Sequence, residues 1–324
     1  MCTAVSFKMK EHYFGRNLDL EHSFGERVII TPRKYPFSFR RAAESEKHPA
    51  IMGTGIVRDN VPLYFDAINE KGLGVAALSF PGYAFYGKET LGTDNISPFE
   101  FIPWVLCQCE TVRQAKQLLS HTNVTDINFS GELMNTPLHW FISDSQCSVT
   151  VESTKEGLSI YDNPVGVLTN SPPFDIQLFN LNNYMHLSRN PPENSFSEGL
   201  ELSQYSRGMG ALGLPGDLSS MSRFVRATFT KLNITHHSDE FKSVSQFFHI
   251  LSSVQQQQGL VRLSDGKDEY TVYSCCYNTD SCVYYYRTYY DLQVKCIEMN
   301  RENLKGKELI SYKMKRDRTV KRCN

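Results

Sequence analysis

Strand-patterned segments crowd the two ends of this chain and helical ones gather between them. That order leaves no steady strand–helix–strand rhythm from which to build a parallel sheet. VSFKM alternates Val5, Phe7 and Met9, and YFGRNLDL and ERVIITPRKY follow with turn formers between them. LYFDAINEKGLGVAALSF reads as a hairpin bent at Asn69, Glu70, Lys71 and Gly72. From Pro98 to about His121 the spacing is helical, with Thr111 placed to cap a helix that aligns Val112, Ala115, Leu118 and Leu119. PLHWFISD, CSVTVES, LSIYDN and GVLTN return to strand. SRFVRATFTKL is then helical, with Ser222 as cap and Val225, Phe229 and Leu232 as its apolar stripe. SVSQFFHILSSV repeats the pattern through Phe247, Ile250, Leu251 and Val254, and YTVYSCCYN with CVYYYRTYYDLQVKCIEM closes the chain as a hairpin. Segregated strands and helices predict antiparallel sheets covered by helices, the α+β class. No repeat, low-complexity linker or seam divides residues 1–324, which are expected to form one domain.

The totals narrow the function class. Acids and bases nearly cancel, 35 against 34, and 40% of the residues are apolar, enough for a large core. The basic run KMKRDRTVKR, residues 313–322, is expected to be a solvated terminus, and no nucleic-acid partner is expected. Apolar stretches such as GLGVAALSF fall far short of the roughly 18 residues a membrane span needs. Lys8, Lys10, Glu11 and Arg16 interrupt any signal-peptide core. Nine cysteines, an odd number without a secretion signal, predict reduced thiols in a cytoplasm. Neither C-x-x-C nor a zinc-spaced His/Cys cluster occurs, so neither metal nor cofactor is expected, and Cys107-x-Cys109 is assigned to helix packing.

The opening MCT carries the chemistry. Aminopeptidases remove an initiator methionine when the next side chain is small, which would leave Cys2 with a thiol and a free α-amine on one carbon. A thiol ordinarily titrates near about 8.5 and an α-amine near about 7.7–8.0, so such an amine is basic enough to take the thiol proton. With Met1 attached the same nitrogen is an amide and has no basicity. The bland alternative is a small residue that happens to start a strand.

A nucleophile of this kind needs an acceptor for its ammonium, a positive charge near its thiolate and donors for the oxyanion. In FGRNLDL, Arg16 and Asp19 are expected to converge on the strand that holds Cys2, although R-x-x-D alone is equally the pattern of a surface salt bridge. Asn170, in VLTNSP, offers an amide or is simply a turn residue. Arg223 falls at a helix start, where a cation opposes the helix dipole.

Together MCT, FGRNLDL, NEKGLG, VGVLTNSP and LGLPGDLSSMSRF resemble the choloylglycine hydrolase family, N-terminal-nucleophile amidohydrolases that include conjugated bile salt hydrolases and penicillin V acylases. The resemblance runs from Met1 through the YYYRTY hairpin, with its motifs in family order. ITPRKYPFSFR, SPFEFIPW and YDNPVGVLTN are most similar to bile salt hydrolases of lactic-acid gut bacteria. The resemblance implies a four-layer αββα sandwich of two antiparallel sheets and a homotetramer. It implies Cys2 as nucleophile and, through its amine, as base, with Arg16 beside the thiol and Asp19 holding the amine. Asn170 would be an oxyanion donor, and Arg223 would complete the charged cluster.

One departure stands out: GVAALSF puts Ser79 where bile salt hydrolases usually carry Asn and penicillin acylases often carry Tyr. A backbone donor at residue 79 would survive the change; a side-chain amide contact would not. Reduced or retuned activity is therefore expected. By position, Leu18, Phe24, Phe65, Phe129, Leu133 and Leu138 resemble the family's pocket wall for a steroid skeleton, though each is also an ordinary core residue type. The expected partner is a conjugated bile acid, hydrolysed at its amide. The alternatives are a penicillin V acylase and a catalytically impaired steroid binder.

Overall fold

The computed structural model describes residues 1–315, 322 and 323; most of the basic run at 313–322 lies outside the described residues. The chain begins as the hairpin β1 (Cys2–Lys8) and β2 (His12–Leu20). Then come β3 (Arg27–Thr31), β4 (Ile51–Arg58), β5 (Val61–Asn69), β6 (Gly74–Ser79) and β7 (Asp94–Ile96). Helices α1 (Phe101–Gln108) and α2 (Val112–Leu119) precede β8 (Thr122–Val124), β9 (Leu138–Ser143), β10 (Ser148–Thr154), β11 (Gly157–Asp162) and β12 (Val167–Leu168). Next are α3 (Phe174–Asn180), α4 (Ser220–Asn233) and α5 (Glu240–Ser252). The last strands are β13 (Val261–Arg262), β14 (Asp268–Asn278), β15 (Val283–Thr288), β16 (Asp291–Glu298) and β17 (Ile310–Lys313).

Two antiparallel sheets result. One runs β12-β1-β2-β14-β15-β16 with β13 on β14; the other runs β11-β10-β9-β6-β5-β4-β3-β17. One apolar cluster fills the space between the sheets and continues under α4 and α5, joining Phe14, Ile68, Leu78 and Phe141 to Phe224 and Phe247. A second lies between the eight-stranded sheet and α1 with α2, where Phe101 stacks on Trp140 at 4.0 Å between ring centroids. The layers are therefore helix, sheet, sheet, helix: the αββα sandwich.

Local chemistry sets the boundaries. Thr111 caps α2 by accepting from the Gln114 N–H, and Gln114 closes the capping box. Gly72 takes φ +93° at the β5–β6 bend, a conformation that suits glycine alone. Two expectations for α4 need correction. The helix starts at Ser220 with Ser219 as cap, and Ser222 lies inside it, donating to Asp217 Oδ2 at 2.6 Å. Its buried face is Arg223, Phe224, Val225, Ala227 and Thr228, and Leu232 is 59% exposed. The apolar stripe is shifted because a fully buried arginine occupies the position that periodicity reserves for a hydrophobe. Among the described residues no helix is long and apolar enough to cross a membrane.

Candidate active site

Strand pairing brings the candidate residues to one end of the first sheet. Cys2 stands opposite Leu18 on β2, and Asp19 stands opposite Thr271 on β14. On the other side of β1, β12 pairs Leu168 with Ala4, which carries Asn170 up beside Cys2. The Cys2 N–H donates to Asn170 Oδ1 at 2.8 Å.

Arg16 and Asp19 flank Leu18, the partner of Cys2 on β2, but they point to opposite faces of the sheet. An odd separation along a strand sends side chains to opposite faces. Arg16 points between the sheets, where Nη1 donates to Ala77 O at 2.5 Å and Phe65 O at 3.1 Å. Asp19 points to the helix layer, accepts from Thr271 Oγ1 at 2.6 Å and lies 4.0 Å from Arg223 Nη1. Both are fully buried. The nucleophile candidate thus sits at the sheet, with a guanidinium on one side and a carboxylate on the other.

Arg223, in the first turn of α4, opposes the helix dipole but is tied into the site by its hydrogen bonds. It donates to Cys2 O at 2.5 Å, Thr3 Oγ1 at 2.6 Å and Asn170 Oδ1 at 2.7 Å. Asn170 is oriented by these contacts: Oδ1 must accept from both Cys2 and Arg223, which turns its amide nitrogen toward Ser79 O at 2.7 Å. An amide nitrogen has two hydrogens, so one donor of Asn170 remains after that bond.

The charges are strongly coupled. Burial pushes the Asp19 carboxyl up, against the pull of Arg223 and the chain terminus. Burial likewise lowers the Arg223 guanidinium, against Asp19 and Cys2. For Arg16 burial works downward too, but the facing groups of Cys2, Tyr273, Asp66 and Cys275 outweigh it and hold the guanidinium charged. The buried polar atoms without a hydrogen-bond partner include two of this cluster, Asp19 Oδ2 and Arg16 Nη2. Leaving such a group unmade costs about 1–3 kcal/mol each, which a fold tolerates where the atoms have something else to bind.

Ser79 contributes its backbone to Asn170. Along β6, Ala76 and Leu78 belong to the intersheet cluster, whereas Val75 and Ala77 pack toward α1 and α2. Alternation puts the Ser79 side chain with the latter pair, on the face turned away from Cys2.

Sequence reasoning missed several supports. Asp66 on β5 is fully buried beside Arg16 and accepts from Tyr277 at 2.6 Å and from Tyr273. Burial pushes its carboxyl up and Arg16 opposes that. The only available signal was a single acid inside an apolar strand. Thr271 is held between the N–H and C=O of fully buried Gln256, which lies in the QQQQ run that looks like solvent-facing sequence. Glu269, buried on β14, accepts from the Met1 ammonium at 2.5 Å.

Of the wall candidates, Leu18 is buried beside Cys2, and Phe65 packs against the intersheet cluster with Phe24 edge-on at 6.2 Å. Phe24 is 47% exposed, an aromatic face open to solvent. Leu138 stands opposite Ser79 and packs against the second cluster. Half-buried Leu133 and Phe129 lie on the segment between β8 and β9. Phe129 packs on Phe99 at 5.3 Å with Arg40 over its ring, and no ring contact joins it to Phe24 or Phe65.

The same fold occurs at 18% identity in a penicillin V acylase from Agrobacterium tumefaciens, with TM-score 0.77 over 96% of this chain and 91% of that one. A crystal structure of a variant of conjugated bile acid hydrolase from Clostridium perfringens superposes with TM-score 0.92 at 38% identity, covering 100% of both chains. A bile salt hydrolase/transferase of Lactiplantibacillus plantarum is 56% identical over 315 residues, 97% of each chain. A family model, that of the linear amide C–N hydrolases of the choloylglycine hydrolase family, matches residues 2–312. With likeness of this extent in both sequence and fold, the chain belongs to the choloylglycine hydrolase family.

Proposed function

We propose that the mature protein hydrolyses the amide bond of glycine- or taurine-conjugated bile acids, with Cys2 as nucleophile after loss of Met1. One observation carries the assignment of the nucleophile. The Cys2 nitrogen already lies on Asn170 Oδ1, and the buried Asp19 Oδ2, 4.0 Å from Arg223, has no hydrogen-bond partner. Acceptors for an α-ammonium are therefore in place before that ammonium exists. The substrate class rests on the 56% identical relative and on the half-open aromatic pair of Phe24 and Phe65.

In this reading the α-amine takes the thiol proton and the sulfur attacks the amide carbonyl carbon. The remaining Asn170 N–H and the backbone N–H of Ser79 stabilise the oxyanion. The C–N bond then breaks as the α-ammonium returns the proton to the leaving glycine or taurine nitrogen, leaving a thioester on Cys2. Water, deprotonated by the same amine, attacks the thioester carbonyl, and the thiolate departs and is reprotonated. An amino acid taking the place of water would reverse the first half-reaction, which suits the relative's name of hydrolase/transferase. Free glycine or taurine should appear from conjugated cholates much faster than amine from phenoxyacetyl amides. The opposite ranking would sink the substrate assignment.

Because residue 79 meets Asn170 through its carbonyl, we expect Ser79→Asn to change kcat/KM for these conjugates less than about 5-fold, against the 10²–10³ of a lost oxyanion donor. A hundredfold gain would place the side chain at the oxyanion instead. We further propose a cytoplasmic homotetramer. The odd count of nine cysteines supports the compartment, and exposed Met185, Phe196, Leu202 and Tyr205 on the long segment before α4 support the assembly. A light-scattering mass equal to a single chain would dispose of the tetramer.

A further inference from the structure

Two carboxylates, not one, converge on the place where the mature chain must begin. Glu269 and Thr271 are two apart on β14 and so share the face that Asp19 occupies opposite them. Glu269 Oε1 is 2.5 Å from the Met1 nitrogen, and the Met1 ammonium donates to Asp19 O at 2.7 Å as well. The Met1 carbonyl in turn accepts from the Asp19 N–H at 3.0 Å, so the initiator is built into the β1–β2 ladder as one extra residue. Glu269 is buried, and Val261 on β13 faces it across the strand pair. The charged groups that bear on it are the chain terminus just ahead of β1, Asp19 on β2 and Arg223 on α4.

A buried carboxylate is costly unless paired. Once Met1 leaves, the partner of Glu269 leaves with it, and the new ammonium appears one residue further along. About 3.5 Å separates successive positions in an extended chain, so the Glu269 carboxylate then stands within about 6 Å of the Cys2 nitrogen. That distance is spanned by one water or by a rotation of the glutamate side chain. We propose that Glu269 clamps Met1 in the precursor and serves, with Asp19, as the counter-ion of the Cys2 α-amine in the mature enzyme. This rests on the reading of Cys2 as an N-terminal nucleophile. Glu269 is a positioning residue: it touches no substrate and acts through the amine.

The sign follows from Coulomb's law. A second negative charge favours the ammonium over the neutral amine, so removing it makes the amine, and with it the thiol–amine couple, easier to deprotonate. The ascending limb of kcat/KM against pH should therefore move down by about one pH unit in Glu269→Gln. Glu269→Asp, which keeps the charge on a shorter arm, should move it by less. Intact mass confirms beforehand that each protein begins at Cys2. A limb in E269Q coincident with wild type would overturn the proposal, as would an equal displacement in E269D, since a packing defect alone produces that. If E269Q does not accumulate, E269D decides: a downward displacement of less than about one pH unit supports the assignment, and either coincidence with wild type or a larger displacement overturns it. Failure of the underlying reading looks different, because turnover would then survive in Cys2→Ala whatever Glu269 does.

Discussion

Cys2→Ala should fold normally and lose hydrolysis by about 10⁴-fold or more, the scale on which removal of a nucleophile is felt. Alanine is also small enough for Met1 to be removed, so the variant keeps a free α-amine and lacks only the sulfur. Asn170 and Arg223 contact residue 2 through its backbone nitrogen and carbonyl, and those bonds survive. Cys2 is buried, but exchanging its thiol for hydrogen should cost no more than about 1–2 kcal/mol. Urea unfolding, intact mass and release of glycine or taurine measure the three quantities. Turnover in a protein shown to start at Ala would remove Cys2 from the mechanism.

The second large effect concerns Arg223. Replacing it with leucine strips hydrogen bonds from Cys2 O, Thr3 Oγ1 and Asn170 Oδ1 and leaves Asp19 buried without its nearest cation. Breaking one side of a buried charge pair typically costs about 3–5 kcal/mol, which is a large share of any domain's stability. We expect Arg223→Leu to lose that much in urea unfolding, together with nearly all activity. Combining it with Asp19→Asn should recover part of the stability, because the stranded charge is gone, and none of the activity. Additive losses in the double variant would show that the two charges do not communicate.

The pattern of segregated strands and helices was legible because strand and helix periods differ, and because Gly72 and Thr111 mark a bend and a cap chemically. Cys2, Arg16, Asp19, Asn170 and Arg223 were recognisable only as a co-linear set, since each alone is an ordinary residue in an ordinary place. What remained hidden depends on pairing across long stretches of chain. Asp66 and Glu269 reach the site through β5 and β14, far from MCT in sequence, and nothing local marks either carboxylate as buried. Ser222 and Leu232 were misplaced for a related reason: a buried Arg223 breaks the rule that the inward stripe of a helix is apolar. For Ser79 the residue type drew attention, whereas the contact runs through its carbonyl, which every residue has.

The strand that starts the chain is an inner one, hydrogen-bonded by β2 along one side and by β12 along the other. Purification tags, reporters and display anchors fused ahead of the initiator would have to leave through that crowded seam, and would also abolish the free terminus. Fusions intended to keep the protein working belong beyond β17, at the opposite end of the polypeptide.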